Sequence, residues 1–452
     1  MEKWIKKIMQ FGGLFLFMSC NHPADVVTRE EAEIPPSLYG IFFEEITHSG
    51  DGGLYAEMIR NRGFEDGTLP SGTVLKDGKA VAKPLHCYSN DSINHFSIAW
   101  NDSLFMEGWE VKCVSDTRPP FYEITEVKPL NNATPHALFI DLGASASDIW
   151  VMNDGYWGIA VTEGQRYNFQ FYLFTEELKN TVVTAALLDL EEQIVVSKNF
   201  QIEHDGSWNH FEGAFTVDTT ANDLRFALLL PHKGKVYIDF VSMFPDNTFC
   251  GHKNGLREDV AGMLRDLRPD FVRWPGGCIV EGLTMDNRIK WKETIGDIVK
   301  RPGDYWEEEN RIDNLIQDAL DAIEYALGDT TTVYGKRRAE NGHAAPFPLK
   351  YVEVGNENVG LRYVKNYNRF YKAIKEKYPQ IEVVCALMFS TYIQEAEKID
   401  ILDPHYYETA GWFYNNADVY DKLPDDIPYK IYVGEYAAIG RPSLYSSLAE
   451  AA

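Results

Sequence analysis

The part of the chain between residues 254 and 436 alternates between two hydrophobic patterns, and this alternation constrains the fold more than any other feature. Short apolar, β-branched runs, typical of buried strands, are separated by stretches whose apolar residues recur every three or four positions, as in amphipathic helices. We predict strands at 270–274, 381–388, 401–407 and 430–436 and one leading to Glu357, and helices at 254–267, 310–327, 367–377 and near 394. Strands that alternate with amphipathic helices form a parallel sheet.

One further strand is predicted at 37–45, ending in Glu44 and Glu45, and a short helical pattern follows at 54–62. The total is six strands, because the polar stretch 290–309, with its glycines and proline, leaves no room for another strand and its helix. Since polar residues cluster at the ends of the predicted strands, a barrel is the natural closure. The predicted fold class is therefore α/β, a (β/α)8-type TIM barrel that is apparently incomplete.

A different pattern occupies the region from 86 to 245. Alternating runs at 167–174, 181–188, 211–217 and 236–244 are separated by turn-rich stretches, and no convincing helical period occurs among them. This is typical of an inserted all-β domain of the sandwich or jelly-roll type. The predicted organisation is a first part of the barrel at 34–85, the insert at 86–245, and the remainder of the barrel at 246–452.

The first twenty residues resemble an export signal. Lysines at 3, 6 and 7 precede an apolar run at 8–18, and Ser19 and Cys20 follow it. Ser19 and Cys20 resemble a bacterial lipoprotein processing site, in which Cys20 would carry the lipid. Secretion without a lipid is the alternative. We therefore expect an exported protein of the periplasm or cell envelope, held at a membrane only by a lipid anchor.

Charge and cysteine usage narrow the classes of ligand. The formal net charge of −25 opposes binding to nucleic acid or anionic lipid and suits a neutral ligand such as a sugar. The five remaining cysteines are scattered without a CxxC pair, so neither a disulfide framework nor a zinc site is predicted. We expect no metal or other cofactor, and the oligomeric state stays open.

Two glutamates stand where the chemistry is expected. Glu357 follows Gly355 and Asn356 at the end of one predicted strand, and Glu435 follows Gly434 at the end of another. Hydrolysis of a glycosidic bond with retention needs one carboxylic acid to protonate the leaving oxygen and one carboxylate, about 5 Å away, to attack the anomeric carbon. The alternative is that both glutamates only cap the following helices. Asn356 adds an amide suited to a sugar hydroxyl.

Five motifs together resemble the α-L-arabinofuranosidases of glycoside hydrolase family 51. They are LYGIFFE at 38–44, DGGLYAE at 51–57, RWPGGC at 273–278, GNEN at 355–358 and VGEY at 433–436. The resemblance implies that Glu357 is the acid/base and Glu435 the nucleophile. It further implies that Glu44, Cys278, Asn356 and Tyr407 contact the arabinofuranosyl ring.

Several of these candidates have a second interpretation. Arg273 is a substrate-binding candidate or holds carboxylates in the barrel floor, Cys278 binds sugar or fills the core, and His405 is either a substrate contact or a structural hydrogen-bonder. The insert, with GYWG at 155–158, is similar to carbohydrate-binding modules of families 4 and 9. Tyr156 and Trp157 are its candidate sugar contacts, although large aromatic residues of a sandwich more often belong to its core.

The expected function is retaining, exo-acting release of terminal α-L-arabinofuranosyl residues from arabinan or arabinoxylan. The alternatives are an endoglucanase of the same family and a carbohydrate-binding protein with impaired catalysis. Members of the family carry a further strand and helix between the Arg273 motif and the helix at 310. They also have an eighth strand and a C-terminal β-sandwich after the nucleophile. Neither feature is visible in this sequence.

Overall fold

A computed structural model describes residues 37–82, 97–115, 120–145, 147–282, 284, 287–301, 312–388, 390–424 and 426–439. The chain divides into two units, Met1–Tyr39 and Gly40–Ala452, and the strands and helices of the fold lie in the second unit. The predicted export signal and Cys20 lie outside the described residues. Among the residues that are described, no helix is both long and apolar enough to span a bilayer.

The second unit contains many short strands and a smaller number of helices. In chain order the strands are β1 (Ile41–Phe42), β2 (Thr73–Lys76), β3 (Lys79–Ala82), β4 (Ser97–Ala99), β5 (Trp109–Cys113), β6 (Phe121–Thr125), β7 (Ala137–Asp141), β8 (Ile149–Asn153), β9 (Ile159–Val161), β10 (Arg166–Glu176), β11 (Val182–Leu188), β12 (Ile194–Gln201), β13 (Trp208–Thr216), β14 (Ala221–Leu230), β15 (Lys235–Pro245), β16 (Val272–Arg273), β17 (Tyr351–Asn358), β18 (Glu382–Leu387), β19 (Ile401–Leu402), β20 (Tyr406–Glu408), β21 (Lys430–Ile431) and β22 (Tyr436–Ala438). The helices are α1 (Glu258–Asp266), α2 (Gly277–Glu281), α3 (Ile312–Leu327), α4 (Val333–Glu340), α5 (Gly360–Lys377) and α6 (Ala410–Asn415), with short 3-10 turns between them.

The insert is a β-sandwich. Its two antiparallel sheets run β13-β10-β15-β7-β6 and β12-β11-β14-β8-β5. Every second residue of β10 is buried, because alternate side chains of a strand point to opposite faces of its sheet. Phe169 of β10 packs against Phe226 of β14, with ring centroids 5.8 Å apart, so the two sheets share one aromatic core. The all-β domain that the alternating pattern predicted is confirmed, and its exact boundaries stay a prediction.

The strands predicted to alternate with helices pair in parallel. The hairpin of β2 and β3, which precedes the insert, is antiparallel. β17, β18, β19 and β21 form one four-stranded sheet, and β1 pairs with β16. Helix α5 covers the larger sheet with Val364, Tyr367 and Ile374, which are fully buried. Among the described residues no strand joins β16 to β17 or β21 to β1.

Three local predictions are wrong. Residues 54–62 form no helix, because the buried Glu57 carboxylate accepts the backbone amides of Met58, Ile59 and Met243 and ties this segment to β15. The single strands predicted at 401–407 and 430–436 are each divided in two, into β19 and β20 and into β21 and β22. Pro404 has no N–H to donate in the gap between β19 and β20.

Candidate active site

The end of β17 is shaped to present Glu357. The register between β17 and β18 shifts between Val354 and Asn358, and both Gly355 and Glu357 adopt positive φ, 86° and 50°. A Cβ on Gly355 would lie 1.7 Å from the Asn358 side-chain oxygen, which accepts the Asn356 amide. Only glycine fits at 355, because this close approach and the left-handed backbone both exclude a side chain. The motif GNEN therefore specifies a bent strand end.

Gly434 has a similar role beside Glu435. Its amide donates to Asp403 Oδ1 at 2.6 Å, and a Cβ there would lie 2.4 Å from Asp403 Oδ2. The backbone oxygen of Glu435 accepts the amide of Tyr406 at 3.1 Å, so the two parallel strand ends are joined at this level. The glycine lets the chain approach Asp403 closely, and Glu435 follows directly.

Arg273, at the end of β16, joins the carboxylates of different strands. Its Nε donates to Glu353 at 2.6 Å, one Nη to Glu435 at 2.6 Å and the other Nη to the Asn356 side-chain oxygen at 2.7 Å. The guanidinium also lies over the Phe42 ring, 4.6 Å from its centroid. The Arg273 side chain is only 8% exposed, which favours the alternative of holding carboxylates over direct contact with a substrate.

The two glutamates lie close to each other but in different environments. One carboxylate oxygen of Glu357 and one of Glu435 lie within 4.8 Å of each other, the close spacing that a retaining mechanism requires. Glu435 is 6% exposed and Glu357 is 25% exposed. Glu435 accepts hydrogen bonds from Arg273 and from the Tyr407 hydroxyl, the latter at 2.5 Å. Such donors complement a carboxylate anion.

His405 lies behind the pair and is almost fully buried. Its Nδ1 is 3.1 Å from Glu357 Oε1, and its Nε2 is 3.2 Å from Asp403 Oδ2. Burial disfavours the imidazolium, but the hydrogen bond and charge of Asp403, followed by the hydrogen bond of Glu357 and the charge of Glu435, outweigh it and raise the pKa of His405 to about 9. Both nitrogens therefore donate at neutral pH. This favours the structural alternative that the sequence left open for His405.

Cys278 and Asn356 form the remaining side of the site. The Cys278 thiol donates to Glu357 Oε2 at 3.4 Å, and the Asn356 amide nitrogen is 3.3 Å from the sulfur. Burial, together with the hydrogen bond and charge of Glu357, raises the pKa of Cys278 to about 12. The sulfur therefore stays a thiol, a donor rather than a nucleophile. Cys278 is exposed at the site, so it does not fill the core.

Glu44 reaches the site through the backbone of α2. Its carboxylate accepts the amide of Ile279 at 3.3 Å, and a Cβ on Gly277 would lie 1.9 Å from Glu44 Oε1. The structure thus brings Glu44 beside the segment that carries Cys278. The eight barrel residues that the sequence analysis named as candidates lie close together here, in contact directly or through one neighbouring residue. They are Glu44, Arg273, Cys278, Asn356, Glu357, His405, Tyr407 and Glu435.

Three acidic residues of the site were missed. Glu353 and Asp403 lie beneath Arg273 and His405, and burial, together with the charge of Asp403, raises the pKa of Glu353 to about 8. Burial also raises the pKa of Glu281, in α2, to about 7, although it accepts hydrogen bonds from the Asn356 amide and the Asn358 side chain. Glu353 and Asp403 interrupt apolar strands, a signal that could have identified them as buried and paired.

The insert's candidates lie elsewhere. Tyr156 and Trp157 occupy the turn between β8 and β9 and contact His48, with ring centroids at 5.1 and 5.8 Å. Trp157 is 69% exposed, so it is not a core residue of the sandwich. These two residues are therefore adjacent to the loop that follows Glu44.

Two sets of possible metal-ligand atoms occur among the described residues: Glu353 with Asp403 and His405, and Glu357 with His405 and Glu435. Both sets share a histidine whose two nitrogens already hydrogen-bond carboxylates. The Arg273 guanidinium also supplies positive charge to both Glu353 and Glu435. The hydrogen bonds and ion pairs of His405 and Arg273 therefore explain why these carboxylates lie so close together.

Comparison with known proteins points to one family. A family model described as the "Alpha-L-arabinofuranosidase 1 domain" matches residues 263–311 and 303–425. "Alpha-L-arabinofuranosidase 1" of Arabidopsis thaliana is 31% identical, over 93% of this chain and 64% of its own length. The "Extracellular exo-alpha-L-arabinofuranosidase" of Streptomyces chartreusis is 29% identical, over 93% of this chain and 53% of its own. The chain thus spans less than two thirds of either relative.

A solved structure shares the fold. The arabinose-bound α-L-arabinofuranosidase MgGH51 superposes with a TM-score of 0.72 at 24% identity, over 91% of this chain and 68% of its own. The fold class expected from the sequence, a TIM barrel with an inserted β domain, is confirmed by this likeness. The sequence matches and the shared fold point to the same family as the five sequence motifs. In sequence and in fold the chain therefore resembles the α-L-arabinofuranosidases, including those of glycoside hydrolase family 51.

Proposed function

We propose that this protein hydrolyses terminal α-L-arabinofuranosyl linkages with retention of configuration. The observation that carries the proposal is the close approach of the Glu357 and Glu435 carboxylates, of which only Glu435 accepts hydrogen bonds from Arg273 and Tyr407. Two carboxyl groups at this separation have no room for a water molecule between them and the sugar. This spacing favours a covalent intermediate over direct attack by water.

In the first step, Glu435 Oε attacks the anomeric carbon while Glu357 gives its proton to the leaving oxygen. The carbon–oxygen bond to the leaving group breaks, and an ester bond to Glu435 forms. The hydrogen bonds from Arg273 and Tyr407 orient Glu435 for this attack. Glu357 is the more exposed of the two, as expected of the group that faces the leaving oxygen and later the incoming water.

In the second step, Glu357 accepts a proton from water as that water attacks the anomeric carbon and releases Glu435. His405 holds one Glu357 oxygen and Cys278 the other, so the carboxyl group keeps its orientation through both steps. No metal or other cofactor is required by this sequence of steps. Asn356 and Glu44 remain proposed contacts of the arabinofuranosyl ring.

The proposed substrates are arabinan and arabinoxylan, whose side chains end in arabinofuranosyl units. Relatives named as α-L-arabinofuranosidases favour this activity over the endoglucanase and binding-protein alternatives. One relative is described as extracellular, which agrees with an exported protein. A lipid anchor on Cys20 stays a proposal and is tested by mass spectrometry of the processed N-terminus after expression in a bacterium.

The test of the activity is release of 4-nitrophenol from 4-nitrophenyl α-L-arabinofuranoside by the full chain and by Glu357→Ala and Glu435→Ala. We expect turnover by the wild type and a loss of at least about a thousandfold for Glu435→Ala, because this variant lacks the group that attacks the anomeric carbon. Tyr406→Phe, which leaves the site hydrogen bonds intact, is the matched control. No turnover by a folded wild-type chain, or unchanged turnover by either glutamate variant, would overturn the proposal.

A further inference from the structure

The loop that follows Glu44 is tied tightly to that residue. Ser49 Oγ donates to the backbone oxygen of Glu44, and the amide of Leu54 donates to the backbone oxygen of Ser49 at 2.7 Å. Thr47 and His48 both adopt positive φ, 56° and 60°, a conformation that costs free energy in residues other than glycine and needs support from the surroundings. The position of His48 is therefore coupled to that of Glu44.

A turn of the insert supplies that support. The Tyr156 ring lies where a side chain on Gly52 would be, since a Cβ there would come within 2.3 Å of the ring. Tyr156 and Trp157 both contact the His48 ring edge-on. The turn itself is held by the Gly158 amide, which donates to Asp154 O at 3.0 Å, and by the Gly155 amide, which donates to the buried Asn153 side chain at 2.9 Å.

Trp157 is thus a fixed aromatic side chain that stays open to solvent. It is 69% exposed, although Gly155, Tyr156 and Gly158 around it are buried or half-buried. An exposed indole on a rigid turn presents a large apolar surface with little loss of conformational entropy on binding. It lies beside the loop of Glu44. Glu44 in turn accepts the amide of Ile279, the neighbour of Cys278, and the Cys278 thiol donates to Glu357.

We propose that Trp157, supported by His48 and Tyr156, stacks on a sugar unit of the glycan chain that carries the scissile arabinose. This inference rests on the proposed function. A neutral glycan is the occupant that fits, because the strongly negative net charge disfavours anionic ligands and because Trp157 contacts the loop that follows Glu44, a proposed contact of the arabinofuranosyl ring. The insert then contributes to the substrate site of the barrel rather than acting as a separate binding module.

The test compares two substrates in one enzyme preparation. The measured quantity is the ratio of kcat/KM on arabinan or arabinoxylan to kcat/KM on 4-nitrophenyl α-L-arabinofuranoside. We expect Trp157→Ala to lower this ratio about five- to tenfold, through a higher KM for the polymer, and Trp157→Phe to restore most of it. Phe121→Ala, which removes an exposed aromatic ring from β6 of the same insert, is the matched control and keeps the wild-type ratio.

The outcomes separate this inference from the proposed function. Turnover of the small glycoside in each preparation reports that the barrel is folded and active. A wild-type ratio in Trp157→Ala on both polymers overturns the stacking role while leaving the activity intact. An equal loss in Phe121→Ala overturns it as well, because the effect would then belong to the insert as a whole. Absence of turnover by the wild type on either kind of substrate would overturn the proposed function itself.

Discussion

The hydroxyl of Tyr407 offers a precise perturbation of the proposed nucleophile. It donates to Glu435 Oε2 at 2.5 Å, while Arg273 donates to Oε1 at 2.6 Å, so each oxygen of this carboxylate has its own donor. Tyr407→Phe removes one donor and leaves the ring and the charge of Arg273 in place. The change therefore tests how far orientation of Glu435 contributes to catalysis.

The expected size follows from the contact. A hydrogen bond to a charged group contributes about 1.5–3 kcal/mol. Tyr407 is 44% exposed, so water can replace the lost donor in part, and the lower end of the range applies. A loss of about 1.5–2 kcal/mol of transition-state stabilisation corresponds to a fall in kcat/KM of about ten- to thirtyfold.

The assay is steady-state hydrolysis of 4-nitrophenyl α-L-arabinofuranoside at neutral pH. The control is Tyr406→Phe on the same strand, whose hydroxyl instead bonds the Tyr420 hydroxyl at 3.0 Å. We expect Tyr406→Phe to stay within about twofold of the wild type, since it touches neither carboxylate. A loss below threefold in Tyr407→Phe, or equal losses in the two variants, would refute the reasoning.

Three other variants test the surroundings of the site. Burial and the charge of Asp403 raise the pKa of Glu353, which favours its neutral form. Glu353→Gln is neutral and keeps an oxygen for the Arg273 Nε, so it should keep kcat within about threefold, whereas Glu353→Ala leaves Arg273 without this partner and should lose at least about tenfold. Equal losses in the two variants would contradict this. Folding raises the pKa of Glu281 from 4.5 to about 7, so the stability that this residue contributes is present below pH 4.5 and is lost as the pH rises through 7. Between pH 5 and about 7.5 the melting temperature of Glu281→Gln should therefore fall less than that of the wild type. Parallel plots of melting temperature against pH for the two proteins would refute this expectation. Arg338 is fully buried and donates hydrogen bonds to five backbone oxygens. Arg338→Met should therefore lower the free energy of unfolding, measured by urea titration, by about 3 kcal/mol or more. A decrease below about 1 kcal/mol would be inconsistent with these contacts.

Much of the fold was accessible from hydrophobic periodicity. The parallel strands, helices α3 and α5, and the alternating strand β10 all follow patterns that local sequence carries. The segment 54–62 was not accessible in this way, because its apolar spacing suits a helix while the buried Glu57 draws the local amides to itself. A tertiary contact to β15, nearly two hundred residues later in the chain, decides its conformation.

The site was predictable in its positions and less so in its contacts. Glycines before Glu357 and Glu435 indicated two strand ends, and the family resemblance added Glu44, Cys278 and Tyr407. The sequence left the roles of Arg273 and His405 open, because a side chain's burial depends on how strands far apart in the sequence pack together. The contact between Trp157 and His48 could not be predicted for the same reason, because it joins the insert to a barrel loop far away in the sequence.

The most direct measurement of the central claim is the configuration of the products that azide forms with the two glutamate variants. In Glu357→Ala, azide should attack the intermediate on Glu435 and give an arabinofuranosyl azide with the configuration of the substrate. In Glu435→Ala, azide should replace the missing nucleophile and give the opposite configuration. Nuclear magnetic resonance of the isolated azides distinguishes the two. Exchanged configurations, or no azide product from either variant of an active enzyme, would contradict the assignment of Glu357 as acid/base and Glu435 as nucleophile.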